Sequence, residues 1–131
     1  MAKKYEVIDI WVGSFPAESA LNGYLAETYG DDDSVPISQL AADMGQSYYD
    51  HDFLEHSFHE SPSSDLRSRL EPHSFSTSYA AAAATAFESA SAPEFNCIVL
   101  AWGQQFIHPA SIHRDDYWLR YLGRFACNPS A

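Results

Sequence analysis

The chain has 131 residues, 46% of them hydrophobic and 15% aromatic, which fits one domain over 1–131 with a core that needs neither metal nor disulfide. Seven Lys and Arg stand against eighteen Asp and Glu, a formal charge of −11 at pH 7. A chain of this sign repels nucleic acid and anionic membrane, whose binding rests on Lys and Arg neutralising phosphates, and it favours a basic partner or cations; the same acidity also serves plain solubility.

Lys3 and Lys4 precede a stretch broken by Glu6 and Asp9, and no apolar run approaches the roughly 18–20 residues of a membrane span. A cytoplasmic protein is expected. Tyr5 to Val12 predicts a strand with two rather apolar faces, hence an internal one, and Gly13 breaks the run. Ser14 and Pro16 carry helix-start chemistry, and Leu21, Tyr24, Leu25 and Tyr29 recur at helical spacing, predicting a helix from about 16 to 29. Gly30-Asp31-Asp32-Asp33-Ser34 is an exposed loop by composition. Gln39 to Met44 makes a short helix closed by Gly45.

Tyr48 to Glu55 mixes aromatics with acids in neither periodicity and predicts an ordered connection with room for one helical turn, followed by a loop around Pro62. Asp65 to Leu70 predicts a short helix, and Ser76 to Ala90 an Ala-rich one with Tyr79, Ala83 and Phe87 spaced by four. Phe95 to Trp102, apolar on both alternating faces, is the central-strand candidate, expected beside the first strand. Tyr117 to Ala126 alternates like a strand, although Asp115-Asp116 ahead of Arg120 and Arg124 also suits a helix. The order implies an α+β fold, a small mainly antiparallel sheet with helices on one face.

The charge is unevenly placed: no Lys or Arg occurs between Tyr5 and Leu66. Within that stretch Asp50, His51, Asp52, Glu55, His56, His59 and Glu60 are metal-ligating types, and a helix there would put Asp52, His56 and His59 on one face. No H-E-x-x-H or EF-hand pattern accompanies them, so no metal or other cofactor is expected. No G-x-S-x-G turn supports a serine nucleophile, no phosphate loop follows Gly13 or Gly103, and Cys97 and Cys127 lack zinc or redox spacing; no catalytic residue is assigned. Trp11, Trp102 and Trp118 lie near strand-like segments, where large aromatics fill core volume. What remains is an acidic surface carrying Tyr48, Tyr49 and Phe53, a combination suited to protein binding, with acids steering the partner and aromatics anchoring it.

Ile10-Trp11-Val12-Gly13-Ser14-Phe15, Ser38-Gln39-Leu40-Ala41-Ala42-Asp43-Met44-Gly45, Tyr48-Tyr49-Asp50-His51-Asp52-Phe53-Leu54-Glu55 and Tyr121-Leu122-Gly123-Arg124-Phe125 together resemble the immunity protein 22 family of bacterial immunity proteins, encoded beside polymorphic toxins. The Y-D-x-D-F-x-E segment is the most specific part, and His51 stands at its variable position. The resemblance implies neutralisation of a cognate protein toxin by binding, in the cytoplasm, without enzymatic activity or cofactor. It does not imply which toxin; the charge favours a basic nuclease. Asp31, Asp32, Asp33, Asp50, Asp52 and Glu55 would then stand in for phosphates, with Tyr48, Tyr49 and Phe53 packing against the partner, unless Asp50 and Asp52 instead bond nearby backbone N–H groups and brace the loop. A structural or assembly component and a metal-dependent small-molecule-binding protein using the Asp/His cluster are the competing classes, and the chain is expected as a monomer or homodimer.

Overall fold

The computed structural model describes residues 6–128; Lys3, Lys4 and the expected strand start at Tyr5 lie outside them. Strand β1 (Val7–Ser14) is buried almost throughout, as its two apolar faces require. Gly13 lies inside this strand rather than after it, because neighbouring strands press in on both sides: a Cβ there would meet Trp118 O at 2.4 Å, Leu119 Cδ2 at 2.7 Å and Cys97 Sγ at 3.2 Å. Helix α1 (Glu18–Leu25) buries Leu21, Tyr24 and Leu25. It stops well before Tyr29, since the backbone turns extended at Ala26 (ψ 133°) and Thr28 N donates to Ile37 O at 2.7 Å. Helix α2 (Gln39–Asp43) starts at Ser38, whose side chain accepts from Ala41 N, and ends before Gly45 at φ 74°, a left-handed position suited to glycine.

A single 3-10 turn at His51–Phe53 leads into β2 (Leu54–Ser63), where the sequence predicted a connection and a loop. The physical reason is position. β2 pairs with one neighbour only, and an edge strand tolerates half-polar alternation and a proline such as Pro62. Helix α3 (Leu66–Leu70) is capped by Asp65, which accepts from Ser68 N. The helix expected from Ser76 divides into a 3-10 turn at Ser76–Ser78 and α4 (Ala80–Ala90), with Tyr79, Ala83 and Phe87 buried along one side. Next come β3 (Phe95–Trp102), wholly buried, the two-residue β4 (Ile112–His113) and β5 (Trp118–Ala126), so the segment from Tyr117 is a strand and not a helix.

The five strands form one antiparallel sheet in the order β2-β3-β1-β5-β4. The α+β class and the adjacency of β1 and β3 are as the sequence predicts. The helices, however, do not gather on one face. Trp11, Val99 and Ala101 pack with α1 and α2 on one side, while Ile8, Ile10, Ile98 and Leu100 pack with α3 and α4 on the other. Central strands that are apolar on both faces need cover on both, so the alternation that predicts an internal strand also forces the helices apart. Asn96 closes the sheet's end, accepting from Phe15 N at 3.0 Å and donating to Phe15 O at 2.8 Å. Cys97 and Cys127 are buried free thiols in opposite clusters.

Candidate functional site

One ionic group sits in the middle of the sheet. Asp9, fully buried, accepts from Arg124 Nε and Nη2, each at 2.9 Å, and from Tyr121 Oη at 2.6 Å. Arg124 Nη2 also donates to Phe106 O at 3.0 Å, tying the loop after β3 to the sheet. Asp43 is similarly consumed, accepting from Tyr24, Gln39 and Arg114, each at 2.9 Å. Two of the acids in the Lys/Arg-free stretch are thus answered by C-terminal arginines, Arg124 in β5 and Arg114 in the loop between β4 and β5.

The acids expected at the surface fare differently from one another. Glu55 points toward the segment before α4, accepting from His73 Nδ1 at 2.9 Å and from Ser74 N and Oγ at 3.3 and 2.6 Å. Burial works against its ionisation, but these hydrogen bonds outweigh it and hold its carboxyl below the usual range. His73 Nε2 contacts Ser57 Oγ at 2.9 Å, completing a Ser–His–Glu chain. Ser57 lies within a strand paired to Ile98 rather than on the strand-to-helix turn that presents an activated serine, so the chain braces β2 against residues 71–79. Asp50 accepts from Asp52 N at 3.0 Å, the loop-bracing arrangement, and its own N–H is held by Gln105 Oε1 at 2.8 Å. Tyr49 and Phe53, expected beside Tyr48 as partner contacts, are core residues: Tyr49 meets Ser38 Oγ at 3.1 Å and the ring of Phe106, and Phe53 packs among α3 and α4. Tyr49 and Phe53 thus pack on opposite sides of the sheet, and of the three rings Tyr48 alone turns out.

Asp31, Asp32 and Asp33 are exposed and line one groove with Tyr29, Val35, Ile37 and Tyr48, of about 490 Å³. Asp32 accepts from Ser34 N and Oγ at 2.9 and 2.6 Å, which keeps its carboxyl below the usual range. No Lys or Arg pairs with Asp31, Asp32, Asp33, Asp50 or Asp52 among the described residues. Tyr29, Val35 and Tyr48 are respectively 63%, 59% and 58% exposed, so three large apolar side chains lie uncovered in a single place.

Beside the groove, Glu27 accepts from Tyr29 Oη and from His51 Nδ1, the latter at 2.8 Å. Burial opposes its ionisation and the hydrogen bonds from Tyr29 and His51 overcome it; in return Glu27 holds the His51 imidazole above its ordinary 6.5. Gln46 organises the other side, donating to Tyr48 O and Gln105 O, both at 2.8 Å, and accepting from Ile107 N at 3.3 Å. That places Ile107, 77% exposed, next to the Tyr48 segment.

Tyr29, Glu27, Val35 and Gln46 were not singled out from the sequence. Tyr29 hid behind its i,i+4 spacing to Leu25, and Gln46 carries no pattern at all. The Asp/His cluster does not converge: no three His, Cys, Asp or Glu residues among those described are placed to hold a metal ion. No helix among the described residues is long and apolar enough to cross a membrane.

A family model described as Immunity protein 22 matches residues 8–128. No curated protein and no solved structure matches the chain.

Proposed function

The chain belongs to the immunity protein 22 family, and from that premise we propose that it neutralises a cognate bacterial toxin by binding it in the cytoplasm, without catalysis or a cofactor. The observation that carries the proposal is the coincidence, on one surface, of uncovered Tyr29, Val35 and Tyr48 with Asp31, Asp32 and Asp33, whose charges no lysine or arginine answers among the described residues. Soluble proteins rarely leave large apolar side chains clustered without a partner, and aromatic anchors inside a charged rim are the usual anatomy of a protein interface. A basic toxin is the complementary partner, and among basic toxins a nuclease fits best, because a cleft built for phosphates accepts a surface of carboxylates. Steering by these acids sets the on-rate and the rings set the lifetime of the complex.

The test is co-expression with the product of the adjacent upstream gene, scoring growth rescue and a co-purifying complex. Rescue with a salt-sensitive complex supports the reading. Absence of both rescue and complex overturns it.

A further inference from the structure

The groove between residues 28–35 and 47–48 says more about its occupant than a net charge does. Its walls are the rings of Tyr29 and Tyr48 with Val35 and Ile37, and its rim is Asp31, Asp32 and Asp33. The Tyr29 ring is tethered at its hydroxyl by Glu27, and the backbone that carries Tyr48 is held at its carbonyl by Gln46. Aromatic walls under a carboxylate rim fit a planar cation that stacks on a ring face while donating from its edges. A lysine ammonium, compact and strongly hydrated, uses the carboxylates and leaves the rings unused.

Resting on the toxin-binding reading, we infer that this groove is the anchor point of the interface and that it takes an arginine side chain from a loop of the basic partner. The guanidinium lies against Tyr29 or Tyr48 with its N–H groups toward Asp31 and Asp33, and the loop's apolar flank covers Val35 and Ile107. Charge complementarity selects this occupant. Arg114 is engaged by Asp43, Arg124 by Asp9, Arg69 by Ser61 O at 2.9 Å and Arg120 by Ala90 O at 3.2 Å, and no Lys or Arg among the described residues pairs with Asp31, Asp32 or Asp33. The rim carboxylates are thus left open to a cation that the partner supplies.

The experiment titrates the labelled full chain with two blocked peptides of equal length and charge, one built on Gly-Arg repeats and one on Gly-Lys repeats, followed by amide chemical shifts. The expected result is shifts confined to residues 28–35 and 47–48, with the arginine peptide binding at least about fivefold more tightly. Tyr29→Ala and Tyr48→Ala each lower that affinity roughly two- to fivefold, the range of an exposed cation–π contact, and Asp31→Asn with Asp33→Asn flattens its salt dependence. Unfolding midpoints of the four variants confirm that they are folded. Equal binding of the two peptides, or shifts spread over all acidic surfaces, overturns the inference. The Tyr29→Ala/Tyr48→Ala double variant is then placed in the co-expression assay. A toxin complex unaffected by it refutes the groove as anchor while leaving immunity standing; failure of the unsubstituted chain to form any complex refutes immunity, and the peptide result still decides the guanidinium site.

Discussion

Removing Arg124 leaves the Asp9 carboxyl in the centre of the sheet with only the Tyr121 hydroxyl as partner. Asp9 is 1% exposed and accepts two hydrogen bonds from the guanidinium; stripping one side of such a buried pair costs about 3–5 kcal/mol, most of it the penalty of the orphaned charge. Arg124→Ala is therefore expected to lose about 3–4 kcal/mol, toward the lower end because the Arg124 side chain is 32% exposed and water can enter. With an unfolding entropy of about 2.1 cal/mol/K per residue, a chain of 131 residues loses roughly 11–15 °C in Tm. Arg124→Lys keeps the charge but not the two-pronged geometry and falls about 1–2 kcal/mol. The double variant Asp9→Ala/Arg124→Ala removes both the charge and its partner, and its loss is well short of the sum of the single losses. Calorimetry and urea unfolding of the four proteins supply the cycle. Single losses below about 1 kcal/mol, or strict additivity, would refute the claim that the pair acts as a unit.

Gly13→Ala forces a methyl group against the Trp118 carbonyl at 2.4 Å, an atom held in the sheet, and is expected to lose about 1–3 kcal/mol or more; Gly23→Ala, in open space on α1, gains roughly 0.5–1 kcal/mol by its helix propensity. The folded Glu55 carboxyl is held below its ordinary 4.5, so its contribution is complete above that value and is lost as pH falls through the folded value. A Glu55→Gln variant then has a lower unfolding midpoint than the parent at pH 7, and the gap narrows as both are acidified; a gap independent of pH contradicts the assignment. His51 runs the other way: raised above 6.5 by Glu27, its contribution is complete below 6.5 and fades as pH rises through the folded value. Proton NMR places its midpoint above 6.5 in the parent and closer to 6.5 in Glu27→Gln; an unmoved midpoint argues against the pair.

Hydrophobic alternation was enough to locate β1 and β3 and favoured a strand at β5, where Asp115 and Asp116 ahead of Arg120 and Arg124 also suited a helix, while residue type at Ser38 and Gly45 marked the ends of α2. It could not place β2, where His56, Ser57, His59 and Pro62 belong to a chain that satisfies one neighbour and solvent. Nor could it tell which of two adjacent tyrosines turns outward, since that depends on a loop held in place by the distant Ser38, Gln46 and Gln105. The acidic loop of Asp31, Asp32 and Asp33 was legible from composition. Its pairing with Tyr29 was not, because the helix that spacing assigned to Tyr29 ends at Leu25 to let Thr28 bond Ile37. Glu55 illustrates the opposite failure: an acid beside aromatics looks like a surface group until the distant His73 and Ser74 are seen to claim it.

The position of β1 between β3 and β5 sets a timetable for the newborn chain. Its hydrogen-bonding partners lie at residues 97–102 and 118–126, so at about 5–20 residues per second of synthesis the first strand waits several seconds with Ile8, Ile10, Trp11 and Val12 uncovered. Helices α1, α2, α3 and α4 can form in that interval, yet neither side of the core closes until the last strand arrives. Contacts of such long sequence separation slow folding and lengthen the exposure of apolar surface. A chain interrupted ahead of Phe95 leaves its most water-averse strand without either neighbour, and it is in that state, rather than in the finished protein, that the molecule is most prone to aggregate.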